Sequence, residues 1–396
     1  MISVIIPTHN RCDQVKKLLE NIDELKNEIK LEVILVDNNS SDETYKVVNK
    51  FNFIKYVFEK NTAFTRARLT GALNSSNEIL LFLDDDVIVG KNSFNEIINI
   101  FHNEKNCGLI AGRIDPYYVT KPPEWVLKCQ NEFNGWSLFH KGEKEKFVDG
   151  AAGPMIAIKK SLFFDVGGFE PDTIGVETNH KDGLFQKLYI GPGDYGLCYK
   201  VKRKGFKIKY SPLVRCQHII PKNRMTISFW RSRLLGEGQV EAITDLQLFK
   251  KNKLDLFFKK SFYNFMFFLF LFRLKKEIYE DKNYIFSRNE LWLKFFKSYL
   301  DCNNILKENT GLPDFLWKIA TEGVPDENYQ EIINKLPKQY LLINNVSYFY
   351  DDEPINKKNF NNKINFSGRV NFNLMYIAFG SLIFFMRFIK KVFLKL

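Results

Sequence analysis

The chain has 396 residues, 45% of them hydrophobic, and a formal net charge of +12 at pH 7. This length allows about two or three domains, and the apolar content excludes a chain that is disordered throughout. The six cysteines form no C-x-x-C pair, so their spacing favours neither a zinc site nor a disulfide framework, and a reducing compartment is expected. The positive charge suits an anionic membrane surface, an anionic substrate or nucleic acid.

The N-terminal part of the chain alternates between strand and helix patterns. Short apolar runs bounded by polar residues predict buried strands. These runs are residues 3–6, 31–36, 53–58 and 79–83. The first is interpreted as a strand rather than a signal peptide, because no basic segment precedes it. Apolar residues at helical spacing, such as those from Val15 to Ile22, predict the intervening helices. The alternation predicts an α/β layered fold with a mixed, mostly parallel sheet.

Polar residues follow three of the predicted strands. Thr8 follows the first strand, Asp37 the second, and Asp84, Asp85 and Asp86 the fourth. In a parallel sheet these ends lie at one edge, where α/β proteins bind their ligands. Three adjacent carboxylates repel one another, and a divalent cation such as Mg²⁺ or Mn²⁺ is their usual compensation. The triplet alone is equally compatible with a solvated, inert turn.

Two common nucleotide-binding patterns are missing from the sequence. No G-x-G-x-x-G follows the first predicted strand, and no G-x-x-x-x-G-K-[ST] occurs. The sequence therefore supports neither a Rossmann dinucleotide site nor a P-loop. Asp37 can accept a hydrogen bond from a base or a ribose hydroxyl, and Arg68 can pair with phosphate or a base edge. The alternative for Arg68 is a surface position on its predicted helix.

Six segments, in order, resemble the motifs of the family 2 glycosyltransferases of the GT-A fold. They are VIIPTHNR at 4–11, VILVDNNSSDET at 33–44, N-x-A-x-x-x-A-R-x-x-G at 61–71, LDDD at 83–86, VGGFEPDTIG at 166–175 and GDYGLCYKVKRKGFKI at 193–208. The resemblance covers roughly residues 1–240. It implies a nucleotide pocket lined by Pro7, Thr8, His9, Asp37, Arg68 and Asp85. It also implies that Asp86, with Asp84, holds Mn²⁺ or Mg²⁺ on the donor diphosphate.

Asp194 aligns with the catalytic base of this family. The family has an acidic pair at this point, and Gly193 replaces its first member here. A carboxylate can take the proton of an acceptor hydroxyl, and one base with one metal implies a single displacement with inversion. Asp194 is equally suited to cap the helix that follows, and the two roles can coexist.

Further candidates come from the same resemblance and from aromatic content. His218 resembles a family histidine and is a candidate metal ligand, unless it is an ordinary core or surface residue. The candidate phosphate contacts are Arg224, Arg231 and Arg233. Trp125 and Trp136 lie in an irregular segment where aromatic faces suit an acceptor sugar, although such residues are more often core.

The predicted organisation has two parts. Residues 1–240 form the catalytic domain, with a nucleotide-binding half at 1–110 and an acceptor half at 111–240, and residues 241–396 form a helical, Phe- and Lys-rich region. The apolar runs at 262–272 and 374–386 are shorter than the about 20 residues needed to span a bilayer. Neighbouring basic residues favour helices lying on anionic lipid, and a buried helix pair is the alternative.

These features predict a metal-dependent, inverting glycosyltransferase. Its expected donor is a UDP, GDP or dTDP sugar, and its expected acceptor is a glycan, a lipid-linked sugar or a protein. No nucleic-acid partner is expected. The expected role is polysaccharide synthesis in the cytoplasm, at the cytoplasmic face of a membrane. One alternative is a sugar-1-phosphate nucleotidyltransferase, which needs a glycine-rich loop where this chain has PTHNRCD. Another is a membrane-associated scaffold with a degenerate site, which the missing acid at Gly193 suggests.

Overall fold

The computed structural model describes residues 1–25, 29–130, 136–171, 173–176, 186–248, 253–272, 278–281, 284–323, 331 and 334–340. Contacts divide the chain into a larger unit, Met1–Tyr279 with Ser287–Asp352, and a smaller unit, Glu280–Phe286 with Glu353–Leu396. Of the smaller unit, the structure describes residues 280–281 and 284–286, which belong to a two-stranded sheet. The apolar run at 374–386 lies outside the described residues.

The strands of the larger unit are mostly short and apolar. The main-sheet strands are β1 Ile2–Thr8, β2 Leu31–Asp37, β3 Ile54–Phe58, β4 Ile79–Leu83, β5 Val87–Val89, β6 Cys107–Tyr118, β7 Lys146–Val148, β8 Met155–Lys159 and β11 Lys207–Ile220. Two separate two-stranded sheets are formed by β9 Thr173–Val176 with β10 Gln186–Tyr189, and by β12 Ile278–Asp281 with β13 Tyr284–Ser287.

Within the described residues, nine strands form one sheet in the order β3-β2-β1-β4-β8-β6-β11-β5, with β7 paired to β11. Strands β3, β2, β1 and β4 are parallel neighbours. Strand β8 runs antiparallel to β4 and β6, whereas β11 is parallel to β6. Every residue of β1 and β4 is buried, which explains their continuous apolar runs. The predicted α/β fold with a mixed, mostly parallel sheet is confirmed.

Helices alternate with the strands and then dominate the C-terminal part. They are α1 Cys12–Leu25, α2 Thr44–Val48, α3 Phe64–Leu73, α4 Ser93–Asn103, α5 Glu124–Cys129, α6 Lys160–Asp165, α7 Gly193–Arg203, α8 Ile227–Leu248, α9 Lys253–Phe272, α10 Arg288–Glu308 and α11 Leu312–Glu322. The predicted domain border at residue 240 falls within α8, and the division into domains stays a prediction.

The C-terminal helices pack on one another and on the sheet domain. A Cβ atom on Gly238 of α8 would lie 2.4 Å from the carbonyl oxygen of Phe295 in α10, so the two backbones approach closely. Arg66 of α3 donates to the carbonyl of Thr321 at the end of α11 at 3.2 Å. Among the residues that the structure describes, no helix is both long enough and apolar enough to cross a membrane.

The carboxyl ends of β1, β2 and β4 lie side by side. Thr8 is the register partner of Asp37, and the acidic triplet follows β4 directly. Strand β11 reaches the same region, where its His218 pairs with Val87 just beyond the triplet. The amide of Ile219 donates to the carbonyl of Asp86 at 2.8 Å. This backbone arrangement gathers residues that are far apart in sequence at one edge of the sheet.

Candidate active site

The acidic triplet is surrounded by cationic side chains. Arg11 Nη1 donates to Asp85 Oδ1 at 2.8 Å and to Asp86 Oδ2 at 3.1 Å. Thr8 Oγ1 donates to Asp85 Oδ2 at 2.7 Å, and Arg224 Nη2 lies 3.2 Å from Asp86 Oδ2. Guanidinium groups therefore compensate the mutual repulsion of the carboxylates in this structure.

The two buried carboxylates respond differently to their surroundings. Burial raises the pKa of Asp85, and the attraction of Arg11 offsets only part of this. Burial acts in the same direction on Asp86, but the charges of His218 and the two arginines outweigh it and hold its pKa below the usual range. Asp86 is thus the more acidic of the two carboxylates, which suits a ligand for a cation.

Asp86 and His218 face each other across a short gap. His218 Nε2 lies 3.1 Å from Asp86 Oδ1. The other ring nitrogen, Nδ1, lies 2.6 Å from the carbonyl oxygen of Trp136, to which it donates. That bond fixes the plane of the ring and directs Nε2 at the Asp86 carboxylate. Among the described residues, no three His, Cys, Asp or Glu side chains gather into a group that could hold a metal ion.

Arg68 joins the third carboxylate of the triplet to Asp194. Its side chain is fully buried, Nη2 donates to Asp84 Oδ1 at 2.9 Å, and Nη1 donates to Asp194 Oδ1 at 2.6 Å. The guanidinium lies between the rings of Phe64 and Phe169, whose centroids are 4.2 Å and 4.7 Å from its central carbon. The aromatic faces stabilise the cation and fix its plane. Arg68 therefore holds the two carboxylates at a fixed separation.

Asp194 lies in the first turn of α7, and 23% of its side chain is exposed. Burial raises the pKa of Asp194, and the charge of Arg68 acts in the opposite direction. The preceding residue, Gly193, has a φ of 45°, a left-handed conformation that favours glycine. An acidic side chain at that position would be strained on this backbone.

The segment at 150–154 contacts Arg68, Asp84 and Asp194. Gly153 accepts a hydrogen bond from Arg68 Nη2 at 3.0 Å, and Pro154 accepts one from the amide of Asp84 at 3.3 Å. A Cβ atom on Gly153 would lie 2.4 Å from Asp194 Oδ2 and 2.9 Å from Arg68 Nη2. Only a residue without a side chain allows this approach.

Replacing Gly153 by Ala is expected to displace Asp194 and to destabilise the protein by about 1–3 kcal/mol, the usual cost of overpacking. Thermal denaturation followed by circular dichroism measures this effect. Gly311→Ala is the matched control, because a Cβ atom there would meet nothing within 4 Å. Equal melting temperatures for the two variants would contradict the predicted close packing at Gly153.

The predicted nucleotide-pocket residues lie at the ends of β1 and β2. Pro7 is buried within β1. Asp37 is buried as well, and its carboxylate accepts from the amide of Ser40 and the hydroxyl of Tyr56, each at 2.8 Å. His9 Nδ1 lies 2.8 Å from the carbonyl oxygen of Asn38. The structure therefore places His9, Thr8, Asp37 and Asp85 around one strand-end region, and their contact with a nucleotide stays a prediction.

Four other predicted residues lie in more buried or already paired positions. Trp125 and Trp136 are only 3% and 2% exposed, and Trp136 donates through Nε1 to the carbonyl of Arg224. Arg231 forms a buried pair with Glu290 of α10 at 2.8 Å, and Arg233 pairs with Glu237 one turn along α8 at 2.6 Å. The predicted acceptor and phosphate roles of these four residues remain predictions.

Two contributors were missed by the sequence analysis. Arg11 contacts two of the three acidic residues, although it is part of the VIIPTHNR segment. The sequence did contain a signal for Arg11. It is a basic residue just after β1, and the neighbouring strand β4 is followed by three carboxylates. Gly153 was not singled out, because its contact with Asp194 joins positions 41 residues apart and has no local signature.

Comparison with protein families identifies the N-terminal part of the chain. Residues 3–166 match the model of glycosyl transferase family 2. The matched range contains β1 to β8, with the acidic triplet, Arg11 and Arg68. It ends before α7 and β11, so Asp194 and His218 lie outside it.

Two curated relatives show the extent of the likeness. The chain is 25% identical over 241 residues to a poly-beta-1,6-N-acetyl-D-glucosamine synthase of Staphylococcus aureus (strain MSSA476), covering 59% of this chain and 53% of the synthase. It is 20% identical over 259 residues to a glucosyl-dolichyl phosphate glucuronosyltransferase of Haloferax volcanii, covering 62% and 77%. The chain therefore spans about half the length of the synthase.

Similar solved structures are distant. A mannosyltransferase from Pyrobaculum calidifontis, PcManGT, in complex with GDP-Man and Mn²⁺ is 17% identical, with a TM-score of 0.44, over 89% of this chain and 88% of that one. GalNAc-T7 with UDP, GalNAc and Mn²⁺ is also 17% identical, with a TM-score of 0.42, over 56% and 43%.

Proposed function

Residues 3–166 belong to glycosyl transferase family 2, and from this premise we propose that the protein transfers a sugar from a nucleoside-diphosphate sugar to an acceptor hydroxyl. The proposal depends on one observation: two sets of charged side chains lie next to each other at one edge of the sheet. One is the acidic triplet with its arginines, and the other is the Asp194 carboxylate, joined to the triplet through Arg68. We propose polysaccharide synthesis as the setting, which the likeness to the poly-beta-1,6-N-acetyl-D-glucosamine synthase supports.

The proposed reaction is a single displacement. The acceptor oxygen attacks the anomeric carbon while the bond from that carbon to the phosphate oxygen breaks. The nucleoside diphosphate leaves with the bonding electron pair, and the acceptor proton passes to Asp194. The raised pKa of Asp194 makes the carboxylate a stronger base than an exposed aspartate, which suits this role. The sugar is transferred with inversion because one displacement occurs.

The residues present fit a divalent cation. Asp86 supplies an ionised oxygen ligand, and His218 supplies a nitrogen whose orientation is fixed by its bond to Trp136. The imidazole in this pair favours Mn²⁺ over Mg²⁺, which prefers oxygen ligands alone. Such a cation, when bound, would stabilise the negative charge that develops on the leaving diphosphate.

The arginines beside Asp86 provide phosphate contacts in this proposal. Arg11 and Arg224 each hold the Asp86 carboxylate through one guanidinium nitrogen, and both are partly exposed. If a cation were bound to Asp86, these guanidinium groups would be available to bind the diphosphate oxygens. Their forked geometry is well suited to phosphate. Thr8, His9 and Asp37, at the neighbouring strand ends, would then face the nucleoside.

Donor binding tests the proposal directly. Calorimetric titration of the protein with UDP, GDP and dTDP, each with Mn²⁺ and again with EDTA, is expected to show binding of at least one nucleotide that requires the metal. The heat of binding reports on the site without depending on turnover. A protein that bound none of the three nucleotides in the presence of Mn²⁺ would contradict the proposed function.

We also propose that the protein contacts an anionic membrane from the cytoplasmic side. Helix α9 supports this, because it exposes Phe257, Phe262 and Phe268, at 63%, 41% and 46%. Aromatic residues on a helix surface favour the interface between headgroups and acyl chains, and the net charge of +12 favours anionic lipid. The protein is expected to float with phosphatidylglycerol vesicles and not with phosphatidylcholine vesicles. Failure to float with either kind of vesicle would contradict the proposed membrane contact.

A further inference from the structure

A half-exposed aromatic ring stands next to the proposed catalytic base. Tyr195 follows Asp194 in α7 and is 53% exposed, although most large apolar side chains of the sheet domain are buried. We propose that Tyr195 is the platform on which the ring of the acceptor sugar lies, with one of its hydroxyls directed at Asp194. This inference rests on the proposed transferase function and names the acceptor subsite that the function requires.

The ring of Tyr195 is supported on one side by backbone. A Cβ atom on Gly150 would lie 2.9 Å from Tyr195 Cε1 and 3.3 Å from Cδ1, so the ring packs directly on this glycine. Three residues further on, Gly153 makes the corresponding approach to Asp194 Oδ2. One short segment thus supports two consecutive residues of α7, the ring and the carboxylate. This shared support fixes the ring relative to the proposed base.

The surroundings of Tyr195 suit a carbohydrate. Burial raises the pKa of the Tyr195 phenol, and the negative charges of Glu237, Asp194 and Glu241 act in the same direction. Sugar sites combine an aromatic face, which packs on the C–H groups of the pyranose, with polar groups that accept from its hydroxyls. The expected ligand is therefore a pyranose whose C–H groups pack on the Tyr195 ring while one of its hydroxyls meets the Asp194 carboxylate.

This location differs from the aromatic residues that the sequence suggested. Trp125 and Trp136 lie within the core, and the indole nitrogen of Trp136 is bound to the carbonyl of Arg224. At 3% and 2% exposure, neither indole leaves enough ring surface accessible for a sugar to pack on. Tyr195 and Asp194 both pack on the segment at 150–154, and this common support brings a sugar on the ring close to the proposed base.

Saturation-transfer NMR tests this subsite with defined probes. The methyl β-glycosides of glucose, galactose and N-acetylglucosamine are titrated into wild-type protein containing nucleoside diphosphate and Mn²⁺. Wild-type protein is expected to bind at least one of them, and Tyr195→Ala to weaken that binding by about tenfold or more, since one ring face is lost. Tyr195→Phe keeps the ring and is expected to stay within about threefold of wild type.

Two controls separate this inference from the proposed function. Nucleoside diphosphate affinity, measured by calorimetry in the same samples, should be equal in wild type and Tyr195→Ala, because the ring is assigned to the acceptor alone. Phe164→Ala removes another exposed aromatic ring, on α6, and should leave glycoside binding unchanged. The inference is overturned if wild type binds none of the three glycosides at millimolar concentration, or if Tyr195→Ala binds them as well as wild type does. Loss of nucleotide binding by wild type would instead overturn the proposed function.

Discussion

Asp194→Asn is expected to lower the rate of sugar transfer by about 10²–10⁴-fold, the usual effect of removing a general base. An amide cannot take the acceptor proton at neutral pH. The substitution preserves side-chain volume, and the amide oxygen can still accept the hydrogen bond that Arg68 donates at 2.6 Å. Nucleotide release in the presence of acceptor measures the effect on transfer.

Two further measurements distinguish the catalytic role of Asp194 from a structural one. The melting temperature and the nucleoside diphosphate affinity of Asp194→Asn should stay close to those of wild type, because its contact with Arg68 survives. A variant with near-normal turnover would show that Asp194 serves only the fold, by anchoring Arg68. The base would then have to be sought among Asp172, Glu177 and Asp182, which lie outside the described residues.

Asp86→Ala is expected to lower metal-dependent donor affinity by at least about 100-fold. Substitution of a residue beside a metal ligand typically costs about 10–100-fold, and loss of a ligand itself should cost more. The variant also leaves Arg224 and His218 without the carboxylate that they share, so its melting temperature should fall. Calorimetry with Mn²⁺ and the selected nucleoside diphosphate measures the affinity.

An exposed carboxylate provides the control for Asp86. Asp165 lies at the end of α6 and pairs with Lys204 on the surface, so Asp165→Ala should change neither donor affinity nor melting temperature appreciably. Donor and Mn²⁺ binding of Asp86→Ala at wild-type strength would mean that the acidic triplet is an inert turn whose arginines serve only the fold.

The sequence predicted the elements that local patterns determine. The apolar runs around Ile5 and Leu81 have the composition of buried parallel strands, and both become fully buried strands of the sheet. The strand ends carry Thr8, Asp37 and the acidic triplet, so their common location followed from the general rule for α/β sheets. Periodicity and strand order were sufficient for this part of the site.

Contacts between distant segments were not predictable in the same way. Arg68 reaches Asp194 across 126 positions, and only the packing of α3, β4 and α7 brings the two together. Trp125 lies in helix α5, and Trp136 packs against Trp230 of α8, so both indoles are buried by contacts that composition does not reveal. The partners of Arg231 likewise depend on how α8 packs on α10. Such long-range contacts decide which polar residues remain available to a ligand.

The configuration of the transferred sugar is the most direct test of the account. The protein is incubated with Mn²⁺, an acceptor glycoside and the α-linked nucleotide sugar whose nucleoside diphosphate binds in calorimetry. Proton NMR then gives the coupling constant of the new anomeric proton. One metal-assisted displacement with Asp194 as base predicts release of the nucleoside diphosphate and a β-linked product. An α-linked product would contradict the single displacement, and the absence of any nucleotide release would leave the protein as a scaffold of the same fold.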